Sequence, residues 1–245
     1  MILPLLEQLR PHYEELRRRL LYSLAAVAGC SALAWLCIDQ LAAFALSPLL
    51  AHTHPGKLVY THLTDALLSY LKLALLCGAA ASFPFLLYQV WLFAAPALLA
   101  HEKRLARRIV LWSSGLFLAG GLFAFFIVLP NTLAFFMSYA GGHLQPMLKL
   151  DLYLAFAARL VFAFAIAFEI PFLMVMAAAA GLVRREYFRS NRKAFYLAIA
   201  GLAFLLAASD PTATALLALP LFGLYEAGII AMRVFVREEQ AAAGP

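Results

Sequence analysis

An all-α, polytopic membrane protein is what this sequence predicts, on three observations. Of 245 residues, 65% are hydrophobic and 13% charged, whereas an average soluble domain is about half apolar and about a quarter charged. A chain of this length cannot hide that much apolar surface in one core. The apolar residues collect in long charge-free runs, and the lysines and arginines collect between alternate runs. The same composition excludes disorder, collagen and, with three cysteines, a disulfide scaffold. A transmembrane barrel would show alternating segments of about ten residues, which the sequence lacks. The net charge of +6 could suit nucleic acid, but its placement between apolar runs assigns it to a membrane surface.

Crossing about 30 Å of hydrocarbon takes about 20 apolar helical residues. The charge-free runs and their flanks place six spans, near 20–38, 70–93, 109–130, 157–181, 194–208 and 212–230. The third run continues past Pro130 and Asn131 to Leu148, long enough for an interfacial stretch after the span. The fourth is broken only by Glu169. The fifth and sixth hold 16 and 15 uncharged residues around Asp210-Pro211, about 24 Å each, and read as a hairpin too short to cross comfortably. Six spans put both termini on one side. Fifteen of the nineteen lysines and arginines fall on that side, which the positive-inside rule makes the cytoplasm. The chain is therefore expected to be one membrane domain over 1–245, with 241–245 a disordered tail. The first span is too long for a secretory signal and lacks a convincing cleavage site, so it is expected to stay in the mature protein.

Residues suited to catalytic or metal chemistry are few. The six histidines all fall in loops or at span ends, which disfavours an intramembrane Ser–His hydrolase. His52, His54 and His62 share one outer loop at a spacing that matches no known metal site. Cys30, Cys37 and Cys77 form no C-x-x-C pair and read as small buried residues. No phosphate-binding glycine loop is present. The expectation is no enzyme, no cofactor and no metal.

Polar residues in costly places are more informative. Glu169 lies inside the fourth span, ten residues from Arg159 and fifteen from Arg184. Those separations are about 15 and 22 Å along a helix, so this carboxyl needs a partner on another helix, water, or its own proton. It reads either as a structural clamp between helices or as a partner site in a groove. Pro171, two residues on, removes an amide that would bond the Ala167 carbonyl and favours a kink. Asp210 caps the short hairpin, where an ordinary Asp-Pro turn is the plain alternative, and Glu226 sits near the inner end of the sixth span. Lys72 and Arg159 read as snorkelling anchors at outer span ends. On the basic side, Leu9, Tyr13, Leu16 and Leu20 recur at helical spacing, so 12–19 reads as an amphipathic helix running into the first span. Glu14 and Glu15 beside Arg17–Arg19, and Glu102 at the head of a basic stretch, are acids on a surface otherwise rich in arginine.

Those residues carry a resemblance. His12-Tyr13-Glu14-Glu15-Leu16-Arg17-Arg18-Arg19-Leu20 resembles the H-x-x-E-L-R-x-R-L signature before the first span of the TatC family, the multi-span subunit of the twin-arginine protein translocase. Tyr88-Gln89-Val90-Trp91-Leu92-Phe93-Ala94-Ala95-Pro96-Ala97-Leu98, followed by His101-Glu102, resembles its Y-Q-x-W-x-F-x-x-P-x-L…E motif. Phe164 to Pro171 is similar to the fourth-span F-E-x-P motif, and Leu217-Ala218-Leu219-Pro220 with Leu224-Tyr225-Glu226 to the sixth-span L-A-x-P…L-Y-E pattern. Ser47-Pro48-Leu49 fits the first outer loop. The matches run in order from about residue 12 to 228. One departure lies before Asp210, where the family commonly has T-P-P-D and this chain has Ala207-Ala208-Ser209-Asp210, which removes two prolines that would stiffen the turn.

The resemblance implies a receptor subunit in the bacterial cytoplasmic (inner) membrane. It would bind Arg-Arg signal peptides of folded cargo, self-associate, and work with TatA-like and TatB-like single-span partners, driven by the proton motive force. It implies that Glu15 and Glu102 receive the signal peptide, with Arg17 and Phe93 of the same motifs beside them. Glu169, Pro171, Asp210 and Glu226 become intramembrane partner-site candidates, and Pro48 an outer-loop position. The alternatives are a proton-coupled secondary transporter of a small solute, with Glu169 as relay, or a structural membrane scaffold. Against the transporter, the chain shows no detectable repeat and one isolated carboxylate rather than a series.

Overall fold

The structure, a computed structural model, describes residues 3–52, 64–94, 103–139, 149–179, 183, 185–207 and 211–242. Helices account for nearly all of these: α1 (Leu3–Leu36), α2 (Ile38–His52), α3 (Asp65–Ala94), α4 (Lys103–Phe123), α5 (Leu129–Tyr139), α6 (Leu150–Ala167), α7 (Glu169–Ala179), α8 (Arg185–Ser190), α9 (Arg192–Leu206) and α10 (Pro211–Ala242). Five stretches among them are long and apolar enough to cross a bilayer: Tyr13–Leu36, Asp65–Val90, Ile109–Ser138, Leu150–Ala178 and Ala213–Val234. Their outward faces carry large apolar side chains, among them Leu33, Leu36, Leu111, Leu118 and Leu219. In water such a surface would drive aggregation; against acyl chains it is what a span requires.

Several boundaries differ from the sequence reading, each for a physical reason. Residues 3–36 form one helix, so the amphipathic segment and the first span are continuous. The chain then bends at Cys37 without losing its ladder, because Cys37 N–H donates to Ala34 O at 3.1 Å and Leu41 N–H to Cys37 O at 3.1 Å. It enters α2, a helix where the sequence suggested only an outer loop. Pro130 does not end the third span. A π-helical segment, Ala124–Val128, precedes it, and Leu129 N–H reaches back to Ala124 O. The widened turn gives the proline ring room. Asn131 Nδ2 donates to Ile127 O and Thr132 Oγ1 to Val128 O, both at 2.7 Å, so nearby carbonyls gain side-chain donors. The expected interfacial stretch after Pro130 is therefore helix as far as Tyr139. Lys72 and Arg159 lie about two turns inside α3 and α6 and are exposed there, not at span ends.

The hairpin splits the expectation. Helix α9 has 15 residues, about 22 Å, and stays short. Helix α10 runs 32 residues to Ala242, and its apolar stretch of 22 residues corrects the expected short sixth span. Residues 241 and 242, expected in a disordered tail, belong to α10 as well. Asp210 lies outside the described residues.

By packing, the chain divides into two units that interleave in sequence: 1–47, 58–115 and 148–154 form one, and 48–57, 116–147 and 155–245 the other. In the first, α1 packs along α3. At their crossing Gly78 lies so close to Ser31 that a Cβ would collide with the serine's backbone nitrogen, Cα and hydroxyl. Small residues at membrane helix crossings gain van der Waals contact where no hydrophobic force separates protein from lipid. Tyr153 OH donates to Ala45 O at 2.8 Å within the same unit. In the second unit α10 is the central helix, packed on α7 and α9. It buries Ala213, Leu217, Leu221, Tyr225, Ile229 and Met232 along one face. Gly120 meets the Phe164 carbonyl and the Phe168 side chain, and Phe123 lies 6.0 and 5.5 Å from those two rings.

The Gly78 crossing yields a prediction. Gly78→Ala should destabilise the protein in detergent by about 1–3 kcal/mol, the usual cost of overpacking, and lower its thermal midpoint. Gly29→Ala, with nothing within 4 Å of its Cβ, should leave the midpoint unchanged or raise it. Equal behaviour of the two variants would show that the crossing is not tight.

Candidate functional site

The amphipathic end of α1 presents its acid already engaged. Arg19 Nε donates to Glu15 Oε1 at 3.2 Å, and Arg19 Nη2 pairs with the same oxygen. The two residues are one turn apart, the spacing at which helix side chains meet. Arg17 is exposed. Arg18 donates to Tyr22 OH at 3.1 Å and lies 5.5 Å over the tyrosine ring. Glu15 is thus a carboxylate that holds a guanidinium through one oxygen on a half-exposed helix face. Glu102 lies outside the described residues. Phe93 belongs to the last turn of α3, and its side chain is outside them too.

Glu169 opens α7 after an interruption at Phe168, two residues ahead of Pro171, which lacks an amide. A carboxyl in the first turn of a helix sits at the positive end of its dipole. It is buried, with 6% of its surface exposed, so it does not face lipid. Pro171 packs where α7 meets α10: a Cβ at Gly228 would lie 3.1 Å from Pro171 Cα and 2.7 Å from Met174 Sδ. Pro48 is buried within α2.

The best-defined polar cluster was only half visible in the sequence. Glu226 Oε2 accepts from Arg192 Nη2 at 3.1 Å, and Glu226 Oε1 from Tyr196 OH at 2.5 Å. One turn of α9 presents both donors, and α10 presents the acid. Beside them the Tyr225 ring stacks on Phe195 at 5.2 Å, and its hydroxyl donates to Phe188 O at 2.6 Å. Phe222 packs edge-on to Tyr196 at 5.0 Å. Glu226, expected as a partner site, is here the acid of a clamp joining α9 to α10, with Tyr225 tying α8 to the same helix. Arg192 and Tyr196 carry i, i+4 spacing, the signal that could have placed both on one face. Among the described residues no group of three His, Cys, Asp or Glu could hold a metal. The cysteines are free thiols, and Cys37 is exposed at the α1–α2 bend rather than buried.

Comparison with known proteins identifies the scaffold. Residues 11–220 match the family model described as TatC, Sec-independent protein translocase protein. The protein of that name from Desulforapulum autotrophicum is 35% identical over 237 residues, covering 94% of this chain and 88% of the relative. The one from Aquifex aeolicus is 35% identical over 234 residues, covering 95% and 97%. The crystal structure of the twin arginine translocase receptor TatC superposes with a TM-score of 0.82 at 34% identity, covering 91% of this chain and 98% of that one. With the apolar spans, these likenesses make the chain a multi-pass protein of the inner membrane.

The clamp can be measured directly. Glu226→Ala and Arg192→Ala should each lower thermal stability in detergent, and a double-mutant cycle should return a coupling of about 0.5–1 kcal/mol, modest because both side chains are partly exposed. Tyr196→Phe should weaken the same coupling. Strict additivity of Glu226→Ala and Arg192→Ala would mean that the pair does not hold the helices.

Proposed function

This chain belongs to the TatC family of Sec-independent protein translocase proteins, and we propose that it is the receptor subunit of a twin-arginine translocase. It would bind Arg-Arg signal peptides of folded cargo, self-associate, and assemble with TatA-like and TatB-like single-span proteins for export driven by the proton motive force. The observation that carries the reading is Glu15, an acid on a basic helix whose geometry already accommodates a guanidinium. An incoming arginine can take the place of Arg19, or bond Glu15 Oε2 beside it. Planar guanidinium forks match carboxylates in a way that lysine's point charge does not, which is the physical basis for selecting arginine. In this reading Glu102 takes the second arginine, with Arg17 and Phe93 flanking the two acids.

The whole chain, 1–245, works as one domain with six crossings and both ends cytoplasmic; α9 supplies the short additional crossing beside the five long stretches. The Lys/Arg distribution supports that orientation. Glu169 with Pro171, and Asp210 at the hairpin, are the proposed meeting points with single-span partners. The Glu226 clamp keeps the neighbouring edge in register, and Pro48 lies in α2, on the outer side of the first span.

Two experiments test this reading. Replacing both Glu15 and Glu102 by Gln should abolish photocrosslinking of a twin-arginine peptide to membranes holding this protein, while insertion and thermal stability stay normal. Undiminished crosslinking in the double variant would refute the receptor assignment. At the second site, Glu169→Gln retains a hydrogen-bonding group and should keep export and partner crosslinking near normal, whereas Glu169→Ala should lose both. If Glu169→Ala instead loses thermal stability and nothing else, the residue is a clamp and not a meeting point.

A further inference from the structure

Outside the proposed signal-binding and partner sites, a cleft opens between α8 and α10. It is lined by Glu186 and Arg189 from α8 and by Ile229, Met232 and Arg233 from α10, with a volume of about 150 Å³. At about 30 Å³ per water, that is room for a phosphate-sized group. Its two apolar residues are buried and form the floor, while the three charged residues are exposed at the rim. Among the described residues, none of these three charges makes an ion pair; the salt bridges there are Arg19–Glu15 and Arg192–Glu226. Glu186 and Arg189 are three apart on one helix, yet they do not close on each other.

The cleft's position narrows what could fill it. Arg233 is next to last in the apolar stretch Ala213–Val234, so the cleft lies where α10 leaves the hydrocarbon, at headgroup depth. Exposed Ile230 and Val234 continue up the same helix beside it, a surface that acyl chains would cover. The cleft is also built in place. Tyr225 OH bonds the carbonyl of Phe188, the residue before Arg189, and the Phe188 ring packs 5.6 Å from Phe195, so α8 is fastened to α10 just where the cleft opens.

We propose that this cleft binds one phospholipid whose headgroup carries both a phosphate and an ammonium, as in phosphatidylethanolamine. The guanidiniums of Arg189 and Arg233 take the phosphodiester, since charge-assisted guanidinium–phosphate bonds are among the strongest polar contacts a protein makes. Glu186 takes the ammonium. Two positive charges and one negative in the cleft mirror the lipid's one negative and one positive, leaving one excess positive charge toward the headgroup layer. A purely anionic headgroup would find Glu186 repulsive, so the carboxylate is the selective element. The proposal is independent of the translocase reading.

Native mass spectrometry of the full chain in mild detergent tests it, with phosphatidylethanolamine, phosphatidylglycerol and inorganic phosphate as separate probes. Wild type should retain one phosphatidylethanolamine about tenfold more tightly than phosphatidylglycerol, a difference that one charge-assisted contact can supply. Arg189→Gln with Arg233→Gln should weaken phosphatidylethanolamine retention about tenfold or more. Glu186→Gln should remove the preference by weakening phosphatidylethanolamine without weakening phosphatidylglycerol. If the double variant does not fold, Arg189→Gln alone, at an exposed position, should show the same loss in smaller degree. Equal retention of the two lipids by wild type, or retention unchanged in the arginine variants, would overturn the proposal. So would displacement of the lipid by inorganic phosphate alone, which would mark a free-anion site.

Discussion

Inside a bilayer there is no water to accept an orphaned backbone N–H or C=O, and each one left unpaired costs several kcal/mol. That constraint governs the helix irregularities among the described residues. The bend at Cys37 passes its hydrogen bonds from α1 to α2. The π-helical turn ahead of Pro130 closes a wider ring, and Asn131 and Thr132 turn their side chains back onto carbonyls of the preceding turn. At Phe168 the N–H still reaches Phe164 O at 2.9 Å before α7 begins. Irregular turns are therefore allowed where donors remain in place.

The same economy applies to charge. Glu15 and Glu226 each hold an arginine, and Glu169 is buried at the start of a helix whose dipole favours a carboxyl there. The two ion pairs differ in kind. Arg19 and Glu15 belong to one helix, so their pairing fixes nothing beyond α1 and can be exchanged without disturbing the fold. Arg192 and Glu226 lie 34 residues apart, and exchanging either partner would loosen α9 from α10. On the proposed reading, the exchangeable acid is the one that meets an incoming arginine, and the cross-helix acid belongs to the frame.

How much of this was legible in the sequence depended on whether the cause was local. Hydropathy and Lys/Arg alternation placed the long helices because span length and loop charge are one-dimensional properties. The spacing of Leu9, Tyr13, Leu16 and Leu20 likewise revealed the helix that leads into the first span. The length of α10 was hidden because Glu226 counts as a boundary in sequence, and only its partners across the helix pair, Arg192 and Tyr196, allow it to sit within a span. Helix α2 was hidden behind Asp39 and Pro48, which read as loop residues, although an acid in the first turn is favourable to a helix. Pro130 looked like a terminus because the π-helical turn that accommodates it leaves no mark in hydropathy.

If Glu15 receives a signal peptide, as proposed, its geometry also bounds how that peptide binds. Arg19 is an intrahelical partner at the surface, and such pairs contribute about 0.3–0.5 kcal/mol, so displacing it costs little. The new pair gains little by the same measure, unless the peptide carries the carboxylate into a drier setting where charge-assisted bonds reach about 1.5–3 kcal/mol. Two arginines on two acids then supply about 3–6 kcal/mol at best, whereas micromolar binding needs about 8 kcal/mol after the cost of association is met. The remainder has to be apolar burial, and at about 25 cal/mol per Å² it requires upwards of about 100–200 Å². Leu16, Leu20 and Leu24, four residues apart and each about half exposed, continue up α1 from Glu15 as an apolar stripe of suitable extent. On the proposed receptor reading, the arginines would select the peptide, and an apolar segment beside them, lying along α1, would have to retain it.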